Sequence, residues 1–99
     1  MSQGHKGYLE LLEYMKELHL KKAQDYGASG DPLSNLRASV DVGIEPWRVT
    51  WLRAKDKVKR IDNFCVNGTL ANESVEDSLF DLAAYSLLVI ALRREENAV

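Results

Sequence analysis

Apolar residues recur along this chain at helical steps, and no alternating run is long enough to read as a strand. Between Lys6 and Gln24, residues Tyr8, Leu11, Leu12, Met15, Leu18 and Leu20 fall at short helical intervals, with Glu10, Glu13, Lys16, Glu17 and Lys21 between them. That spacing predicts an amphipathic helix. Gly27 ends it, and the segment GASGDP from Gly27 to Pro32 reads as a loop of small residues. The segment Pro32 to Val40 predicts a short helix, with Asp31 as N-cap and Pro32 at the first helical position. Pro46 then opens a long helix on which Trp47, Trp51, Ala54, Val58, Ile61 and Cys65 form a heptad-like seam. Arg53, Asp56, Lys57 and Arg60 make a charged stripe on the far side, flanked by Val49, Leu52 and Phe64. Apolar residues on both sides predict a helix clamped between two others or between two subunits.

Asn67-Gly68 makes a turn, and Asn72 is the expected N-cap of a last helix from Glu73 to about Arg94. The half from Leu82 to Leu92 is apolar on nearly every side, and such a helix requires burial. The expected fold is therefore all-α, a bundle of three long helices and a short one. A chain of 99 residues is expected to form one domain, residues 1–99, with a core of modest stabilising power. Two other long helices cannot cover the apolar run, so a homo-oligomer, dimer or larger, is expected.

Charge narrows the partners. A net charge of -2 gives no electrostatic footprint for duplex nucleic acid, but a local basic cluster still suits a small phosphorylated ligand. The N-terminus lacks the apolar run of a signal peptide, and Leu82 to Leu92 is too short to cross a bilayer. The expectation is a cytoplasmic protein with no membrane partner. Cys65 has no resolving thiol or metal-ligand partner at useful spacing and is expected to be a small core side chain.

The acids come next. Glu73, Asp77 and Asp81 are spaced to line one side of a helix. Glu73, Glu76 and Asp77 are explained as first-turn acids favoured by the positive helix N-terminus. Asp81 lies beyond that turn, at the edge of the apolar half, where a carboxylate needs a partner. Two answers stand level: an ion pair with Arg53, Lys57 or Arg60, or a metal. If the last two helices pack antiparallel, carboxylates on one can hold Mg²⁺ while the basic stripe holds phosphate oxygens. Lys22, Asp25, Tyr26 and Asn35 also admit two readings. Tyr26-Gly27 can close a helix and Asn35 can be a turn residue. Alternatively, Lys22 contacts phosphate, Tyr26 stacks on a base, and Asp25 or Asn35 reads its polar edge. Trp47 and Trp51 belong to the apolar seam and are expected in the core. His5 and His19 have no partner in a motif and no assigned role.

The ordered series Lys22, Asp25-Tyr26-Gly27, Asp31-Pro32-Leu33-Ser34-Asn35, Arg53-Ala54-Lys55-Asp56-Lys57 with Arg60, Glu73-Ser74-Val75 with Asp77, and Asp81-Leu82-Ala83-Ala84-Tyr85 resembles the nucleotide modification associated domain type 1. This small helical family is common in phage genomes and is often described as MazG-like. The resemblance runs from about Leu18 to Leu92 and implies nucleotide handling in a phage-infected bacterial cell. Its wider relatives, the all-α nucleoside triphosphate pyrophosphohydrolases, release pyrophosphate using Mg²⁺ held by an ExxE motif on one helix and ExxD on the next. Asp81 and Tyr85 match the ExxD aspartate and the aromatic after it, but Ser78 stands three residues before Asp81 and the nearest acid is Asp77. On the preceding helix, Lys57, Lys59 and Arg60 surround Asp56 where a second carboxylate is expected.

Two functions follow. In a hydrolase, Asp77, Asp81 and Asp56 would be catalytic, with Mg²⁺ held by Glu73, Asp77 and Asp81, while Arg53, Lys57 and Arg60 offset developing negative charge. In a nucleotide-binding protein without turnover, such as a phage sponge for a host signalling nucleotide, the same pocket holds its ligand unchanged. A helical oligomerisation module, with its charges only in ion pairs, is the third reading.

Overall fold

The computed structural model describes residues 3–25 and 33–97, and no strand occurs among them. In chain order come α1 (Lys6–Asp25), α2 (Ser34–Arg37) running into a 3₁₀ turn (Ala38–Val42), α3 (Pro46–Asn67) and α4 (Val75–Glu96). Three long helices and a short one are thus present, as the pattern predicts. Among the described residues no helix is long and apolar enough to cross a membrane. The chain divides into two compact units, Met1–Asn35 and Leu36–Val99.

In the first unit, α1 starts where expected and runs one residue further. The backbone N–H of Tyr8 donates to His5 Nδ1 at 3.1 Å, so an imidazole satisfies one of the free donors of the first turn. This gives His5 a capping role that the sequence pattern does not signal. Tyr8, Leu11 and Leu12 are exposed, and α1 has no fully buried residue. The expected cap Asp31, Pro32 and the rest of the Gly27 to Pro32 loop lie outside the described residues, as does Tyr26.

In the second unit, α3 and α4 form an antiparallel hairpin. Arg93 reaches the Trp47 ring at one end, and Lys57 and Arg60 meet Asp81 and Glu73 towards the other. Pro46 at the first position and Gly68 in the left-handed region (φ 76°) bound α3 as a proline start and glycine stop should, the Gly68 N–H donating to the Phe64 carbonyl. The buried line on α3 differs from the expected seam. Thr50 and Ala54 are fully buried and Lys57, Ile61 and Phe64 half-buried, whereas Trp51, Val58 and Cys65 are exposed and Trp47 is only half-buried. The physical reason is that small residues let the two backbones approach: Thr50 and Ala54 on α3 and Ser78 on α4 have no exposed surface. The Thr50 hydroxyl donates to the Pro46 carbonyl at 2.9 Å, which removes the cost of burying it.

Two further expectations are corrected. First, α4 begins at Val75, because Ser74 is the N-cap in place of Asn72: Ser74 is extended (φ -76°, ψ 154°) and its Oγ accepts the Asp77 N–H. Glu73 therefore precedes the helix, and it is held by the side chains of Ser78, Arg60 and Lys57. Second, the expected helix from Pro32 to Val40 is a single α-turn followed by the 3₁₀ turn, closed by Gly43 at φ 77° and by Ser39 Oγ donating to the Ile44 carbonyl. The apolar half of α4 is not enclosed within the chain, as its all-round apolarity predicts: Leu92 is buried, but Leu87 and Ile90 are exposed.

Candidate ligand-binding site

Rotating α3 onto the line of Thr50, Ala54 and Ile61 turns Lys57 inward, where it is 14% exposed. Its ammonium Nζ lies 3.0 Å from Asp81 Oδ2 and 3.5 Å from Glu73 Oε1. Glu73 is held from three sides. Besides Lys57, Arg60 Nη1 donates to Oε1 at 3.1 Å and the buried Ser78 hydroxyl donates to the same oxygen. Arg60 Nε lies 3.4 Å from Asp56 Oδ2, one turn back on α3. Charges thus alternate through Asp56, Arg60, Glu73, Lys57 and Asp81, and Asp81 has an ammonium for a partner.

Electrostatics follow this geometry. Burial of the Lys57 ammonium is the largest influence and opposes its charge, yet the hydrogen bond to Asp81 and the fields of Asp81 and Glu73 outweigh it, and the pKa rises above the usual lysine value. The Ser78 hydrogen bond lowers the Glu73 pKa, with Lys57 and Arg60 adding to the effect against some desolvation. Both groups are therefore held in their charged forms across the neutral range.

The carboxylates do not fit Mg²⁺ in this arrangement. Among the described residues, no three acids, histidines or cysteines form a group that could hold a metal ion. A divalent ion bridging Glu73 and Asp81 would lie against the Lys57 ammonium, and Glu73 Oε1 already serves Ser78 and Arg60. Asp77 is exposed on the first turn of α4, where its backbone N–H serves the cap.

Beside the network lies a depression of about 430 Å³ lined by Val49, Leu52, Arg53, Asp56, Lys57 and Tyr85. It joins the exposed Arg53 to the half-buried Lys57 and gives them an apolar and aromatic wall. The structure therefore brings together Arg53, Asp56, Lys57, Arg60, Glu73 and Asp81 of the expected site. Lys22 and Asp25, at the exposed end of α1, and the exposed Asn35 belong to the first unit. Sequence reasoning missed the role of Ser78, although its position three residues before Asp81 had marked the place.

It also missed a second cluster near the start of α3. Glu45 accepts from Trp47 Nε1 at 2.8 Å and from Arg48 Nε at 3.0 Å. These bonds, Trp47 first, lower the Glu45 pKa to about 2, while Glu96, sharing a hydrogen bond with Glu45, is raised. The Arg48 and Arg93 guanidiniums sit 4.5 and 5.3 Å from the centre of the Trp47 ring. Arg37 forms a bidentate pair with Glu95, at 2.6 and 3.2 Å. The signal available was Glu45 just before Pro46, flanking the first turn of α3.

Compared with known families, curated proteins and solved structures, the chain matches none.

Proposed function

We propose that this chain binds a small phosphorylated nucleotide in the depression between α3 and α4 and does not turn it over through a metal. The observation that carries this reading is the union of Arg53 and Lys57 with Tyr85, Leu52 and Val49 in one depression. Its volume lies within the range of small-ligand sites, about 300–1,000 Å³. Arg53 suits a phosphate, since a guanidinium donates to two oxygens at once. Tyr85 and Leu52 supply the apolar surface a base needs. The resemblance to a nucleotide-handling phage family points to the same ligand class. Lys57 lies between the carboxylates that a hydrolase would commit to Mg²⁺, and this favours retention over turnover.

The test is to incubate the protein with a panel of nucleotides, with and without Mg²⁺, and follow melting temperature and products together. A ligand specific for the folded state raises the melting temperature. The expected outcome is stabilisation by at least one nucleotide without Mg²⁺, lost in Arg53→Ala, with the nucleotide recovered intact. Mg²⁺-dependent pyrophosphate release abolished by Asp81→Asn would overturn it in favour of the hydrolase.

A second copy of the chain is the partner we propose for the remaining apolar surface. Trp51 and Val58 on α3 and Leu87 and Ile90 on α4 are all exposed, and among the described residues the buried apolar side chains are Leu36, Ala54 and Leu92. A stable interface buries about 800 Å² on each partner, which apolar faces of this kind can supply. Light scattering at micromolar concentration should give a dimer or larger; a monomer would contradict the proposal.

A further inference from the structure

We infer that the depression between α3 and α4 takes a nucleotide carrying a single phosphate, and that Asp56 keeps longer phosphate chains out. This deepens the proposed function and rests on the depression being a nucleotide site. Two cations line it, Arg53 and Lys57. The Lys57 ammonium is already shared, 3.0 Å from Asp81 Oδ2 and 3.5 Å from Glu73 Oε1. Arg53 is exposed and, among the described residues, has no ion pair or side-chain hydrogen bond. One guanidinium therefore stands ready for an anion, and its fork matches two oxygens of one phosphate.

The surroundings of Arg53 set the limit. Towards the start of α3 the depression is lined by Val49 and Leu52, whose side chains offer a second phosphate no donor. Towards the end comes Asp56, three residues on and so a near neighbour of Arg53 on the helix surface. Arg60 Nε lies 3.4 Å from Asp56 Oδ2, but that guanidinium also donates to Glu73. Arg53, Lys57 and Arg60 are thus matched in number by Asp56, Glu73 and Asp81, and no surplus positive charge is left for a polyanion. A single phosphate, with a charge of about -1.5 to -2 at pH 7, can sit on Arg53. Each further phosphate adds negative charge beside the Asp56 carboxylate, and like charges so placed suppress binding.

The experiment is isothermal titration calorimetry on the full chain, at low ionic strength and without divalent ions. The probes are the ribonucleoside 5′-monophosphates of the common bases and the matching triphosphates. For the base that binds best, the monophosphate should bind at least about tenfold more tightly than its triphosphate. Asp56→Asn, a change at a side chain that is 60% exposed, should cut that ratio to about threefold or less. A triphosphate bound as tightly as its monophosphate overturns the inference and leaves the nucleotide site standing. So does a ratio that Asp56→Asn leaves unchanged, because something other than the Asp56 charge then excludes the triphosphate. Binding of neither series overturns both the inference and the reading on which it rests.

Discussion

Two charged clusters hold α4 at different heights, one joining it to α3 and the other to α2, and they differ in their access to water. In one, Lys57 and Asp81 are 14% and 27% exposed at the side chain, and each belongs to a network that crosses between helices. In the other, Arg37 and Glu95 form a pair of better hydrogen-bond geometry, with two guanidinium contacts, but are 37% and 51% exposed. Geometry alone would rank the arginine pair higher. Solvent reverses the order, because exposed pairs contribute about 0–1 kcal/mol whereas a partly buried charge left without its partner costs more. The partly buried cluster also lines the depression proposed to hold the ligand.

The comparison can be broken by truncation. Lys57→Ala should have the largest effect, about 2–3 kcal/mol in chemical denaturation, since it leaves Glu73 and Asp81 without their shared cation. The pH dependence sharpens this. Glu73 is held below its ordinary value of 4.5, so its contribution is present above 4.5 and lost as pH falls through the lower folded value. Lys57 is raised above 10.5, so its contribution is complete below 10.5 and lost as pH rises through the higher folded value. Melting temperature should therefore fall on both flanks, and in Lys57→Ala the alkaline fall should shrink. A smaller effect, about 1 kcal/mol, is expected of Ser74→Ala, which removes the cap of α4 just beyond Glu73. Arg37→Ala should have the smallest, below about 1 kcal/mol and weaker still in salt. An Arg37 effect as large as that of Lys57 would refute the ranking by exposure.

Much of this hairpin was legible in the sequence. Pro46 and Gly68 set the limits of α3 through a fixed φ and a left-handed stop. The heptad-like seam was half right: Trp47, Ala54 and Ile61 are common to both lines, but the observed one continues through Thr50, Lys57 and Phe64 instead of Trp51, Val58 and Cys65. A polar Thr and a charged Lys disguised the inner line. Thr50 is satisfied by its own helix and Lys57 by acids twenty or so residues away, and neither satisfaction shows in local periodicity. On α4, nearly uniform apolarity gave no face to choose, so the exposure of Leu87 and Ile90 could not be read from it. For Asp81 the sequence left three cations and a metal standing level, and the pairing with Lys57 depends on the rotation of α3, which no local periodicity gives.

The claim at the centre is that an ammonium, and no metal, answers Asp81. A double-mutant cycle of Lys57→Ala and Asp81→Ala, measured by chemical denaturation with and without millimolar Mg²⁺, tests it most directly. The account predicts a favourable coupling of about 1–2 kcal/mol that Mg²⁺ leaves unchanged. Absence of coupling, or wild-type stability that rises with Mg²⁺ only while Asp81 is present, would contradict it.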